Sequence, residues 1–165
     1  MTPILKNYVI NEATMALVPA ARIDFDTIAI EINRELRIRK TPHQLLRSAC
    51  LDNWSTYDGR REAVTHHFGF KRKVPIPINP GINLYTFPTH SPSDFACNWI
   101  FHSHVQALLP AFGSSQNTPA QTTIIFKNRR QMPLDVSHYV LAKQLERTGM
   151  CVGRFGNGNV EGIQY

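Results

Sequence analysis

Pro75, Pro77 and Pro80 stand in the short stretch Val74-Pro-Ile-Pro-Ile-Asn-Pro80-Gly81, and no helix can run through it. Each proline lacks the backbone N–H that a helix interior needs, and its ring collides with the carbonyl four residues back. The Pro80-Gly81 pair marks a turn. Regular structure must therefore be built separately on either side. Helical patterns lie just before this stretch, and short extended runs dominate elsewhere.

On the N-terminal side, Tyr8–Ile10 and Thr14–Val18 flank a short polar turn and read as a hairpin. Ile28, Ile30 and Ile32 alternate along a strand, and after Asn33, Arg34 and Glu35 the pattern resumes with Leu36 and Ile38, read as the same face. That reading leaves Arg37 and Arg39 toward solvent. Thr41 and Gln44 have capping-box spacing, Pro42 falls at the first helical position, and Leu45, Leu46, Ala49 and Cys50 form an apolar stripe. A helix over 42–52 follows, and a second is expected over 56–67, although Gly59 inside it costs about 1 kcal/mol relative to Ala.

After the prolines, 82–87 and 98–105 read as strands, and 124–126 with 132–136 as a hairpin around Lys127, Asn128, Arg129 and Arg130. Ser137 caps a last helix over 137–148 that stops near Gly149. The expected class is α+β: a single domain over 1–153, built on antiparallel β-sheet with about three short-to-medium helices, then a flexible tail over 154–165 rich in Gly and Asn.

Charge is unevenly placed. The chain carries 18 Lys and Arg against 12 Asp and Glu, a net +6. The window from Arg34 to Lys73 holds ten basic and four acidic residues, so it nets +6 alone, while the remaining 125 residues balance at eight and eight. Such a concentration points to one basic surface and a polyanionic partner. No apolar run approaches the roughly 18 residues of a membrane span, and the N-terminus lacks a signal-peptide pattern, so a cytoplasmic protein without membrane contact is expected. Cys50, Cys97 and Cys151 are odd in number and form no CxxC pair, which argues against a disulfide framework or a zinc ribbon.

Four ordered blocks carry a resemblance. Ser55-Thr-Tyr57-Asp-Gly59-Arg60-Arg61, Pro75-Ile-Pro-Ile-Asn-Pro80, Leu84-Tyr-Thr-Phe87-Pro88-Thr89 and Cys97-Asn-Trp99-Ile100-Phe-His102-Ser-His104-Val105 resemble ComK competence transcription factors in content, order and spacing. The likeness is strong from about Leu45 to Val105 and weaker around Lys127 to Glu146. It implies a bacterial activator of DNA-uptake genes that binds AT-rich boxes in double-stranded DNA, chiefly through the minor groove, as a homodimer or as paired dimers forming a tetramer on DNA. RNA polymerase and a proteolytic adaptor are further partners the resemblance implies. Longer members carry an adaptor-associated tail past the last helix, where this sequence has only the residues up to Tyr165.

With that resemblance, Tyr57, Gly59, Arg60 and Arg61 are candidate DNA contacts: guanidinium groups suit phosphates and narrow A/T minor grooves, and glycine permits close backbone approach. Lys71, Arg72 and Lys73 lie beside the prolines in an extended segment suited to tracking a phosphate backbone. Arg37 and Arg39 extend this surface only if their face adjoins the second helix. The bland alternative for all of these is a solvated charged face.

His102 and His104, as an H-x-H pair on a strand, would turn two imidazoles to one side in a zinc-ligand arrangement, and a metal-dependent enzyme centred on them is one alternative. A third ligand could come from Cys97, His66, His67 or His90 only through a tertiary contact, and structural hydrogen bonding is the preferred role. A generic RNA-binding module is the other alternative. Trp99, Phe101, Tyr85 and Phe87 read as core or dimer interface rather than base-stacking platforms. No nucleophile motif, phosphate loop or paired-carboxylate constellation is present, so neither catalysis nor a cofactor or metal is expected.

Overall fold

The computed structural model describes residues 3–110 and 120–156. Its strands are β1 (Ile4–Leu5), β2 (Thr14–Pro19), β3 (Thr27–Glu31), β4 (Glu35–Ile38), β5 (Ile76–Asn79), β6 (Leu84–Pro88), β7 (Trp99–Phe101), β8 (Val105–Pro110), β9 (Thr122–Phe126) and β10 (Gln131–Leu134). The helices are α1 (Pro42–Asp52), α2 (Tyr57–Phe68) and α3 (His138–Phe155).

Seven strands form one sheet in the order β1-β4-β3-β2-β7-β6-β5, and three form a second in the order β10-β9-β8. All pairings are antiparallel except that of β1 with β4. The expected α+β architecture on antiparallel sheet is therefore present, with three helices.

Both faces of the large sheet are covered. One carries Leu17, Ala29, Leu36, Ile38, Trp99 and Phe101 against Leu45, Leu46 and Ala49 of α1 and Tyr57 of α2. The other carries Ile30, Phe87 and Ile100 against Ile124 and Phe126 of the small sheet and Leu141 of α3. Where β5 and β6 reach the sheet edge, Val64 of α2, Tyr85 and Cys151 of α3 meet in a smaller cluster. Pro77 is tolerated because β5 is an edge strand, where a missing donor breaks no ladder.

Helix starts were legible. Thr41 caps α1 with the full box, its side chain accepting from Gln44 N while the Gln44 side chain accepts from Thr41 N. Ser137 caps α3 by accepting from Val140 N at 3.2 Å. Gly69, at φ 75°, ends α2 in the left-handed conformation that a side chain disfavours.

Several readings need correction. Tyr8 to Ile10 is not a strand; Tyr8 and Ile10 are buried in a loop, and β2 pairs with β3 and β7 instead. Leu36 and Ile38 do not share the face of Ile28 and Ile30. The tight turn after β3 makes an antiparallel pair in which Ala29 opposes Leu36 and Ile28 opposes Arg37, so the two sets face opposite layers. The expected strand over 98–105 is broken after Phe101 by a 3-10 turn at His102–His104. The last helix runs through Gly149 and Gly153 to Phe155, because Cys151 and Phe155 pack against neighbours there. Of the expected tail, residues 157–165 lie outside the described residues.

Candidate nucleic-acid interface

The chain between α2 and β5 bends back beside the N-terminal half of α2, and a concavity opens between them. It encloses about 850 Å³ and is lined by Tyr57, Asp58 and Arg61 of α2, Lys71, Arg72 and Lys73 of the connecting segment, His43 of α1, and Ser91 and Ser93 of the β6–β7 connection. Four cations thus face one carboxylate. None of the four takes part in an ion pair among the described residues. A smaller depression of about 450 Å³ continues past His43 and Tyr57 to Arg47, Leu51 and Thr56.

The segment carrying the three basic residues is anchored by α3. Gln144 Nε2 on α3, almost fully buried, donates to the carbonyls of Lys73 at 2.9 Å and Pro88 at 2.8 Å. Arg147 Nη2 donates to the Arg72 carbonyl at 2.9 Å, and its guanidinium lies 4.2 Å from the centre of the Phe70 ring. Lys73 itself holds φ at 49°, a left-handed conformation that costs a non-glycine residue energy and persists only where neighbours enforce it. These hydrogen bonds are that enforcement.

Tyr57 forms the groove wall rather than a projecting contact. It is buried, with its ring edge-on to His43 at 4.9 Å and to Trp99 at 6.2 Å. Burial pushes its hydroxyl up to about 12, so it stays a neutral phenol.

Gly59 has a local task. Its N–H is the donor in the Thr56 cap, at 2.9 Å, and a Cβ there would stand only 2.9 Å from the same Thr56 Oγ1. Its smallness protects the start of α2.

Arg60 and Arg61 part company. Arg61 is exposed in the groove. Arg60 turns inward, donating through Nη2 to the Asn53 carbonyl at 3.2 Å, with Nε buried and without a partner. Arg37 and Arg39 alternate with buried Leu36 and Ile38. Arg37 opposes Ile28, on the sheet face away from α1 and α2, and rests 5.5 Å from the centre of Phe25. The structure therefore unites Tyr57, Arg61, Lys71, Arg72 and Lys73, and does not bring Arg37, Arg39 or Arg60 to them.

Two other cations of the sequence are committed elsewhere. Arg34 pairs with buried Glu31 at 2.7 Å, and Arg130 at the β9–β10 turn pairs with Glu35. Asn128 in that turn donates to the Ile32 carbonyl at 2.8 Å, docking it on the β3–β4 turn.

His102 and His104 do not lie on a strand face. The 3-10 turn sends them apart: His104 Nε2 lies 2.7 Å from the Glu12 carbonyl, while His102 is packed beside Gly149 of α3. Burial and then the nearby Lys127 charge hold His102 below its ordinary value. Among the described residues no group of three or more His, Cys, Asp or Glu could hold a metal ion.

Sequence reasoning missed His43, Ser91 and Ser93 as groove residues. His43 sits on the solvent side of an amphipathic helix, and the serines lie in an ordinary polar turn; no local signal marks either.

The ComK protein family model matches residues 5–156. The competence transcription factor of Bacillus subtilis (strain 168) is 28% identical over 153 residues, spanning 92% of this chain and 76% of that protein. No solved structure gives a significant match.

Proposed function

This chain belongs to the ComK family, and from that premise we propose that it is a transcriptional activator of competence genes that binds AT-rich promoter boxes mainly through the minor groove, as a dimer or paired dimers. The observation that carries the DNA reading is the groove itself: Arg61, Lys71, Arg72 and Lys73, drawn from two segments of the chain, converge on one concavity and are not neutralised there. Phosphate contacts from such cations supply affinity and position, and the narrow, strongly negative minor groove of A/T tracts favours Arg and Lys side chains. Catalysis is not part of this reading. Recognition by groove shape agrees with the lack of an Asn or Gln beside Arg61 in the groove, the kind of side chain that reads adenine edges in the major groove.

Footprinting on a promoter fragment with two A/T boxes tests the proposal. Ligands that fill A/T minor grooves displace the protein, whereas methylation of guanine N7 in the major groove is tolerated. The opposite pattern overturns minor-groove recognition. Tighter binding to single-stranded RNA than to AT-rich duplex overturns the choice of DNA.

A further inference from the structure

Trp54 is 97% exposed, and its backbone is held at φ 68°. Both features work against stability. An indole in water forgoes the burial that an aromatic of 150–250 Å² normally provides, and the left-handed conformation is costly for any residue with a bulky side chain. Slackness of the turn does not account for it, since the segment joining α1 to α2 is held by a dense set of hydrogen bonds. Asn53 N reaches the Ala49 and Cys50 carbonyls at 3.2 and 3.1 Å, Trp54 N reaches Leu51 O at 3.1 Å, and Ser55 N reaches Cys50 O at 3.0 Å. Asn53 Nδ2 donates to Ala49 O at 2.7 Å, Asn79 Nδ2 donates to Asn53 Oδ1 at 2.7 Å, and the inward-turned Arg60 holds the Asn53 carbonyl. The turn is built to present Trp54, not to hide it.

The place of presentation selects the occupant. Leu51 on one side of Trp54 and Thr56 on the other both line the depression that continues the basic groove through His43, Arg47 and Tyr57. Leu51 is itself 61% exposed. An apolar surface bordered by Arg47 and Asp58 and joined to the four cations of the groove carries an excess of positive charge, which fits a polyanion with π-faces rather than an apolar protein surface.

We propose that Trp54 is part of the DNA-binding surface, meeting the bases or sugars of the duplex from the α1–α2 turn, and that Arg60 is a positioning residue that acts through this turn. The inference rests on the DNA-binding reading above. An aromatic face pressed on a base, or an apolar side chain wedged at a base step, adds affinity that is independent of counterion release.

The chain has two tryptophans, and Trp99 is 2% exposed, so acrylamide quenching of indole fluorescence reports Trp54. Saturating AT-rich duplex should abolish most of that quenching. Trp54→Ala should weaken duplex binding by about five-fold or more with an unchanged salt slope. Trp54→Gly should do the same while raising the thermal midpoint, since glycine relieves the strained φ; a merely structural tryptophan would lower it. Trp54→Phe should retain most of the affinity. Quenching that persists at saturation, or Trp54→Ala binding as tightly as wild type, overturns the inference and leaves the DNA reading standing. If duplex fails to bind the intact protein at all, both fall.

Discussion

The side-chain amide of Gln144 reaches across from α3 to the Lys73 carbonyl at 2.9 Å, tying the last helix to the basic segment 71 residues earlier in the chain. The same nitrogen serves the Pro88 carbonyl, so one buried residue fixes the basic segment relative to β6. Gln144→Ala would leave both carbonyls short of a donor. A loss of about 1–3 kcal/mol in denaturant-measured stability is expected. Duplex affinity should fall as well, since Lys73 would be free to leave its strained φ. A variant with full affinity would show that the segment does not need this anchor.

Arg60 and Arg61, adjacent in sequence, should separate in salt dependence. Arg61→Ala removes an exposed groove cation and should reduce the log–log salt slope of duplex binding by roughly 0.9. Arg60→Ala removes a brace of the α1–α2 turn and should leave the slope as it was. Equal slope changes in titrations at several salt concentrations would mean that both guanidinium groups meet phosphate.

Spacing of the boxes tests assembly. Tyr85, Phe87, Trp99 and Phe101 are all buried in the sheet core, so they are not available as a dimer surface, and any pairing of protomers must use other residues. If dimers meet two boxes as one rigid unit, inserting about five base pairs between boxes should cost much more affinity than inserting about ten, because B-DNA repeats about every 10 to 10.5 base pairs. Equal tolerance, with a monomer sedimenting on two-box DNA, would remove the oligomer from the proposal.

Acid should weaken the fold through Glu31. Burial by itself would raise this carboxyl, but hydrogen bonds from Tyr8, Arg34 and Asn11 prevail and hold it below its usual range. A depressed carboxylate adds stability above its unfolded value, near ~4.3, and that stability is lost as pH falls through the lower folded value. Tyr8→Phe should cost about 2 kcal/mol near neutral pH, as expected for a bond to a charged acceptor, and the difference from wild type should shrink in strong acid. Urea midpoints at both pH values read this directly. A difference independent of pH would place the contribution of Tyr8 in packing alone.

Much of the local architecture was already written in the residues. Prolines and capping residues act over a few positions, so the break at Pro75–Pro80, the box at Thr41–Gln44 and the Ser137 cap required no knowledge of the fold. The concentration of positive charge and the four family blocks were equally visible. Local information failed wherever two layers compete for one strand. With both faces of β3 covered, alternation of its apolar residues cannot say which face meets which layer, and only the pairing of Ala29 with Leu36 decided it. The site divided in the same way. Its cations could be named from sequence, but separating Arg61 from Arg60, adding His43, Ser91 and Ser93, and turning Arg37 to the opposite face depended on contacts between distant segments. A side chain's task is set by what the folded chain brings against it, and neighbours that arrive from 71 positions away leave no trace in the local pattern.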